Sequence, residues 1–383
     1  MKMQRLQLHN LGQIEEADIQ FGDLTVLVGP QATGKSITLQ MLKLMVDIGQ
    51  VQQELTKYGI DWSGNLSEFL DVYFGEGMHS IWTKTSEVRW DGSDFELKKK
   101  VSRKQRNKEE SLFFIPAQRV LALRNGWPQP FSSYSPGDPF SVREFSERLR
   151  ILVEQEFSAN EKLFPQDRRL KSDFRTLLQE HIFATFELQI DKLQSQKRLV
   201  LGHADSALPY MVWSAGQREF VPLLLGFYWL MPAAKVSRRG TIEWVVIEEI
   251  EMGLHPRAIS VALLMVLELL ARGYRVCIST HSPQVLEAVW ALKHLQENKA
   301  NSADLLDVFD APNSQTMRKI AEKALKKSVE VYFFDRATSR VRKISDLDAD
   351  AEEDGNAGWG GLLEFSSRAN MAVARAVGNN GSC

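Results

Sequence analysis

Cysteine is nearly absent. Cys277 and Cys383 are the only two in 383 residues, and two thiols make neither a disulfide framework nor a metal cluster. Long apolar runs are missing too: none approaches the roughly 20 residues that a membrane-spanning helix needs. The start, Met1-Lys2-Met3-Gln4-Arg5, lacks the apolar core of a secretion signal. The expected location is therefore cytoplasmic, with no membrane partner. No charge of one sign dominates, since 47 Lys and Arg face 49 Asp and Glu for a net charge of −2. Nothing global therefore calls for nucleic acid or anionic lipid. What is present is ordinary for a soluble globular chain, 44% hydrophobic and 25% charged. At this length two lobes, or one domain with a large insertion, are expected rather than a single small core.

One stretch organises the rest. Gly29-Pro30-Gln31-Ala32-Thr33-Gly34-Lys35-Ser36 fits G-x-x-x-x-G-K-[ST]. Before it, Leu24-Thr25-Val26-Leu27-Val28 is a short apolar, β-branched run that reads as a buried strand. After it, residues 37–45 have apolar spacing near 3.6 and read as a helix. Strand, glycine loop and helix is the order that phosphate binding needs. The glycines let the backbone curl so that successive N–H groups and the helix N-terminus face the phosphates. Lys35 then reaches the β- and γ-phosphates of a nucleotide and Ser36 holds magnesium. A chance glycine turn would require neither flank.

Along the chain, Arg5-Leu6-Gln7-Leu8 and Ala17-Asp18-Ile19-Gln20-Phe21 alternate polar and apolar, predicting an edge hairpin that leads into the loop strand. Residues 62–75 are ambiguous. Residues 79–89 and 95–101 read as two further strands joined by Trp90-Asp91-Gly92-Ser93-Asp94. The run Lys98-Lys99-Lys100-Val101-Ser102-Arg103-Lys104-Gln105-Arg106-Asn107-Lys108 is the strongest local charge bias. It suits either a nucleic-acid backbone or a solvated hairpin tip, and the absence of interleaved aromatics favours the latter. From 121 to about 200 the pattern changes. A Pro/Gly/Ser-rich loop precedes helical, charge-laced segments near 141–157 and 173–193, predicting a helical insertion or lid. The expected division is 1–120, 121–205 and 206–383.

Several apolar runs end in polar groups. Ser111-Leu112-Phe113-Phe114-Ile115-Pro116 delivers Gln118, placed to reach magnesium or an attacking water, since ligands of open parallel sheets bind at strand C-termini. Trp244-Val245-Val246-Ile247 ends in Glu248-Glu249, a carboxylate pair suited to one metal ligand and one group that polarises water. Arg275-Val276-Cys277-Ile278-Ser279 ends in Thr280-His281-Ser282-Pro283. Between them, Ser214-Ala215-Gly216-Gln217 opens an apolar helical run, so a helix N-terminus again faces an anion or merely a capping serine.

In this order the pieces resemble the ABC-type ATPase heads of the RecF, SMC and OLD group, and most closely small bacterial ATPases with a DEPExxLHP-like motif, several of which act in anti-phage defence. The resemblance covers the core from the first hairpin to about Leu286, with the middle insertion unassigned. It implies an α/β fold: an ABC-ATPase head with a mixed β-sheet carrying the phosphate loop, an antiparallel β lobe and a helical insertion. It also implies roles. Residues 29–36 would be Walker A, with Ser36, Gln118 and Glu248 around magnesium. Ser214, Gly216 and Gln217 would be the signature that binds ATP, Gln118 the Q-loop glutamine, Glu249 the catalytic glutamate and His281 the switch histidine. Three positions depart from the pattern: Glu248 replaces an aspartate, Ile250 a proline and Ala215 a glycine, which leaves room for slow turnover. Function by dimerisation is implied, each ATP lying between Walker A of one copy and the signature serine of another.

That resemblance supports an ATP-gated switch whose effector, a nuclease or toxin, is a separate protein in defence or DNA processing. The alternative is a stand-alone DNA-repair clamp of RecF type. A one-chain nuclease of the OLD type is disfavoured, because Asp346-Leu347-Asp348 is followed only by residues too few for its nuclease domain. The acidic run there reads as a solvated loop before a short helix at 362–377. A GTPase is disfavoured because Asn298-Lys299-Ala300-Asn301 lacks the guanine-reading aspartate.

Overall fold

The computed structural model describes residues 4–103, 109–157, 162–193, 196–203, 206–233, 237–345, 368–369 and 372–373. The chain opens with β1 (Gln4–Leu11) and β2 (Ile14–Phe21), a hairpin whose inward residues Leu6, Leu8 and Ile19 are fully buried while Arg5 and Gln20 face out. This is the alternation of a sheet wetted on one face. Then come β3 (Leu24–Val28), the glycine loop, and helices α1 (Lys35–Lys57) and α2 (Leu66–Phe74), the latter occupying the ambiguous stretch. Next are β4 (Trp82–Trp90), β5 (Ser93–Asp94), α3 (Leu97–Val101) and β6 (Leu112–Ile115). The first lobe is an antiparallel sheet in the order β2-β1-β4-β5.

The middle of the chain supplies β7 (Leu123–Arg124), β8 (Trp127–Pro128), α4 (Phe140–Gln155), β9 (Lys162–Phe164), α5 (Ser172–Leu178), β10 (Glu187–Leu193), β11 (Gln196–His203) and β12 (Ser206–Pro209). Strands β12-β11-β10-β9 form a second antiparallel sheet. The chain returns through α6 (Ala215–Leu230), β13 (Trp244–Glu248), α7 (Pro256–Ala271) and β14 (Arg275–Thr280). It finishes with α8 (Pro283–Glu297), α9 (Ser302–Val308), α10 (Gln315–Ala324), β15 (Val329–Phe334) and β16 (Val341–Lys343). No helix among the described residues is long and apolar enough to cross a membrane.

At the centre lies a six-stranded sheet ordered β16-β15-β3-β14-β13-β6. Its strands are parallel except β16. Strands β3, β13, β14 and β15 are buried at every position, as expected when both faces of a parallel sheet are covered. Alternate side chains enter two cores. Val26, Val28, Val245 and Ile278 pack with α4, α6, α7 and α8. Leu27, Val246 and Cys277 pack with α1, α2 and the first antiparallel sheet. The α/β class with a mixed sheet, an antiparallel lobe and an insertion is as expected. Two local expectations fail. Residues 97–101 are helical: Leu97 and Val101 are buried one helical turn apart and Lys98 to Lys100 point elsewhere, a period near four. Residues 187–193 are a strand, paired on both sides by β9 and β11, so the insertion is half sheet and helix ends near Phe183. Of the basic run, 104–108 lie outside the described residues, as do Asp346-Leu347-Asp348 and most of 362–377.

Helix α1 is tied to the sheet by charge. Asp47 leaves helical geometry (φ −123°, ψ 21°), and its carboxylate accepts the Ser111 and Leu112 N–H groups at 3.0 and 2.9 Å. Lys43 donates to Asp47 at 2.9 Å and to the Leu112 carbonyl at 2.7 Å, and pairs with Glu144 of α4 at 3.2 Å. Burial alone would lower the Lys43 pKa; the Asp47, Glu144 and Glu110 carboxylates outweigh it and hold the ammonium charged. Burial meanwhile pushes Glu144 up to about 7. This cluster fixes where β6 starts, and so where Gln118 emerges. Lys43→Met leaves buried carboxylates without their cation and should cost about 3–5 kcal/mol of stability. Urea denaturation checks this, and a loss below 1 kcal/mol would contradict it.

Candidate nucleotide site at the strand ends

The C-terminal ends of β3, β14, β13 and β6 lie side by side, with Val28 opposite Thr280, Ser279 opposite Glu248 and Ile115 opposite Ile247. Every polar group expected at a strand end is therefore at the same edge, the usual ligand edge of a parallel sheet. The loop after β3 is sterically committed. At Gly29 (φ 145°) a Cβ would lie 2.5 Å from the Phe334 carbonyl oxygen, and at Gly34 (φ 99°) one would lie 2.5 Å from Ile14. Gln13 steadies the loop from the first hairpin by donating to the Ala32 carbonyl at 3.0 Å.

Lys35 is folded over this loop, its Nζ donating to the Gly29 and Pro30 carbonyls at 2.7 Å each. Burial pulls its pKa down to about 8, against the opposing pull of Glu249, Glu251 and Glu248. Glu248 is buried and its pKa rises because of that burial. The Ser36 hydroxyl stands close enough to its carboxyl to favour the charged form, and the Ala117 N–H donates to Oε2 at 3.1 Å. Glu248 Oε1 has no hydrogen-bond partner. A buried, unsatisfied carboxylate oxygen beside a hydroxyl fits a hard divalent cation. Among the described residues no group of three or more His, Cys, Asp or Glu could hold a metal alone, so a magnesium ion here would also take oxygens from Ser36, from water or from a bound phosphate.

Glu249 adopts φ 44° and its N–H donates to the Ser279 carbonyl at 2.9 Å. His281 Nε2 lies 3.4 Å from Glu249 Oε1, and that neighbour above all holds the Glu249 pKa below the usual carboxylate range. Gln118 follows Ala117 and is exposed. The site thus gathers Lys35, Ser36, Glu248, Glu249 and His281, while the exposed Gln118 lines a neighbouring cavity with Leu121 and Arg218.

Ser214 stands differently. It caps α6 in a closed capping box, its Oγ accepting from the Gln217 N–H at 3.2 Å and its N–H donating to the Gln217 side chain at 3.1 Å. It is exposed, and its polar contacts among the described residues are those of its own cap. Gly216 lets this helix end approach the turn after β13, a Cβ there lying 3.2 Å from the Gly253 carbonyl oxygen.

Two residues that carry the geometry had no role in the sequence reading. Arg119, with no exposed surface, donates to the carbonyls of Glu248 (3.0 Å), Glu249 (3.2 Å) and Met252 (3.4 Å) in the turn after β13. It also donates to the Glu219 carbonyl of α6 at 3.2 Å. Glu251 accepts from Thr280 Oγ1 at 2.9 Å and from the His281 N–H at 2.6 Å, seating the histidine. Their only signal in the sequence was adjacency to Gln118 and Glu249.

The profile of a family described as "AAA domain, putative AbiEii toxin, Type IV TA system" matches residues 24–287. A comparison with the curated proteins finds no match. Among solved structures, the SMC head domain from Thermotoga maritima is 12% identical with a TM-score of 0.33, the match covering 90% of this chain and 98% of that one. An SMC head bound to the C-winged helix domain of ScpA is 9% identical with a TM-score of 0.39, covering 90% and 98%. The recombination mediator protein RecF of the RecFOR pathway is 8% identical with a TM-score of 0.38 over the same shares.

A lysine with a pKa near 8 makes phosphate binding pH-dependent with a defined sign. Below pH 8 Lys35 is charged and affinity for a nucleoside triphosphate is flat. Above it, binding must return a proton to Lys35, so affinity falls, approaching about tenfold per pH unit. Calorimetry in buffers of differing ionisation enthalpy should show proton uptake that grows from pH 7.5 to 9. No uptake across that range would contradict the assignment.

Proposed function

This chain belongs to the AAA-domain family whose profile it matches over residues 24–287, and from that premise we propose that it is an ATP-hydrolysing, ABC-type ATPase working as a dimeric, ATP-gated switch. The observation that carries the proposal is the free Oε1 of buried Glu248, set beside Ser36 and one residue from a second glutamate held by histidine. A buried carboxylate oxygen without a partner calls for one, and a divalent cation bound with a nucleotide would supply it.

In this reading Lys35 leaves the Gly29 and Pro30 carbonyls for the phosphates of ATP, gaining charged acceptors in place of neutral ones. Ser36, Glu248 and Gln118 would hold magnesium, which when bound neutralises charge between the phosphates. Glu249, kept anionic by His281, orients the attacking water and takes its proton. His281 is a positioning residue, seated in turn by Glu251. Ser214, already ordered as a helix cap and open to solvent, offers its hydroxyl and the first-turn N–H groups to a γ-phosphate on a second copy of the chain. ATP would then close the dimer and hydrolysis would reopen it. Such a switch has no chemistry beyond phosphoryl transfer. We therefore assign the biological action to a separate effector, a nuclease or toxin, in bacterial anti-phage defence or DNA processing. The toxin in the family's description suits that partner better than this site.

Glu249→Gln keeps the shape and hydrogen bonding of the side chain while removing its charge. The variant should bind ATP with near-unaltered affinity, lose about 10²–10⁴-fold in phosphate release, and accumulate as a dimer with ATP by light scattering. Turnover within a few-fold of the unaltered protein, or a variant that stays monomeric at saturating ATP, would overturn the reading.

A further inference from the structure

Two cavities beside the strand-end site share a wall. One, of about 550 Å³, is lined by Gln118, Leu121, Tyr134 and Arg218 among others. The other, of about 740 Å³, includes Trp127, Lys197 and Met211. Arg124, Gln129 and Tyr210 line both, so the two make a continuous groove from Gln118 to β11. Its surface is unusual in two respects. Leu121 and Met211 are large apolar side chains left 59% and 70% exposed. And while Arg198 is paired with Asp191 at 2.9 Å and Glu154 with Arg150 at 2.5 Å, Arg124, Lys197 and Arg218 of the lining make no ion pair among the described residues. The remaining lining carboxylate, Asp138, accepts the Ser135 N–H.

The cations are interleaved with aromatic rings. Lys197 Nζ sits 6.0 Å from the centre of the half-buried Trp127 ring, the half-buried Tyr134 lines the first cavity with Gln118, and Tyr210, 7% exposed, backs the shared wall. Flat apolar faces alternating with unpaired cations suit a ligand that offers flat faces and repeated negative charge. Bases stack on rings while phosphates meet arginine and lysine. A duplex hides its base faces and a single nucleotide fills one cavity only. We propose that this groove binds single-stranded nucleic acid, and that its occupant is sensed at the strand-end site. The second half rests on the hydrolysis reading; the first does not. The route is short. Gln118 lines the groove and is followed by Arg119, while Arg218 lines it and is followed by Glu219, whose carbonyl and carboxylate meet Arg119 at 3.2 and 3.7 Å. A strand in the groove bears on both sides of the guanidinium that holds the Glu248 and Glu249 carbonyls.

The test is fluorescence anisotropy of a labelled oligothymidylate at low salt. Binding is expected for the unaltered protein and equally for Lys35→Ala, which separates this result from any failure of the ATPase reading. Arg124→Glu with Lys197→Glu, both at solvent-reached positions, should weaken binding about tenfold or more and flatten its salt dependence. Trp127→Leu, which alters no charge, should weaken it several-fold. Charge reversal of Lys319 and Lys323, exposed positions of α10, should leave affinity unchanged. A duplex of the same sequence should compete poorly. The proposal is overturned by any of three results: no binding at low salt, equal affinity in the Arg124/Lys197 variant, or a duplex competing as well as the strand. Oligothymidylate should also change phosphate release by the unaltered protein and not by that variant. Unchanged release at saturating strand would overturn the coupling.

Discussion

The structure depends most on one buried cation. The Arg119 guanidinium has no solvent to fall back on, and a charge taken out of water is tolerated only when its donors are met. They are met by backbone carbonyls: Glu248, Glu249 and Met252 in the turn after β13, and Glu219 in the first turns of α6. Backbone acceptors cannot rotate away as side chains do, so the arginine fixes the turn that holds Glu249 at φ 44°. It also fixes the helix end that carries Ser214. Since Arg119 adjoins Gln118, one residue ties together three segments distant in the sequence.

Around that tie the division of labour follows from topology. Parallel strands β3, β14, β13 and β6 necessarily end on one edge, and each delivers its polar group there. Lys43 and Asp47 set the depth at which β6 enters. Glu251 sets His281. The insertion, half sheet and half helix, walls the groove beside Gln118 and so places the proposed sensor against an exposed strand end.

Much of this was legible in the sequence because it is local. The glycine loop, the four apolar runs ending in polar residues and the capped helix at Ser214 are each readable within a window of about ten residues, and each element stands where its pattern put it. What failed was decided at long range. Strand β10 carries Glu187 and Asp191 at helical spacing, but Leu188 and Ile190 alternate with polar neighbours and are buried, and β9 and β11 pair with its backbone on both sides. The short helix at Leu97–Val101 was hidden by three consecutive lysines that blur a period of four into one of two. Arg119 and Glu251 act on partners up to 133 residues away in sequence, and no spacing rule marks them.

In the proposed dimer each chain is half of two sites, supplying Lys35 and Glu249 to one and Ser214 to the other. Mixing Ser214→Arg protein with Lys35→Ala protein tests this most directly, because each supplies what the other lacks. Phosphate release from ATP should appear in the mixture and in neither variant alone, at about one competent site per heterodimer. If the mixture stays inactive while both variants are folded and Ser214→Arg still binds ATP, the site is not shared and Ser214 is only a helix cap.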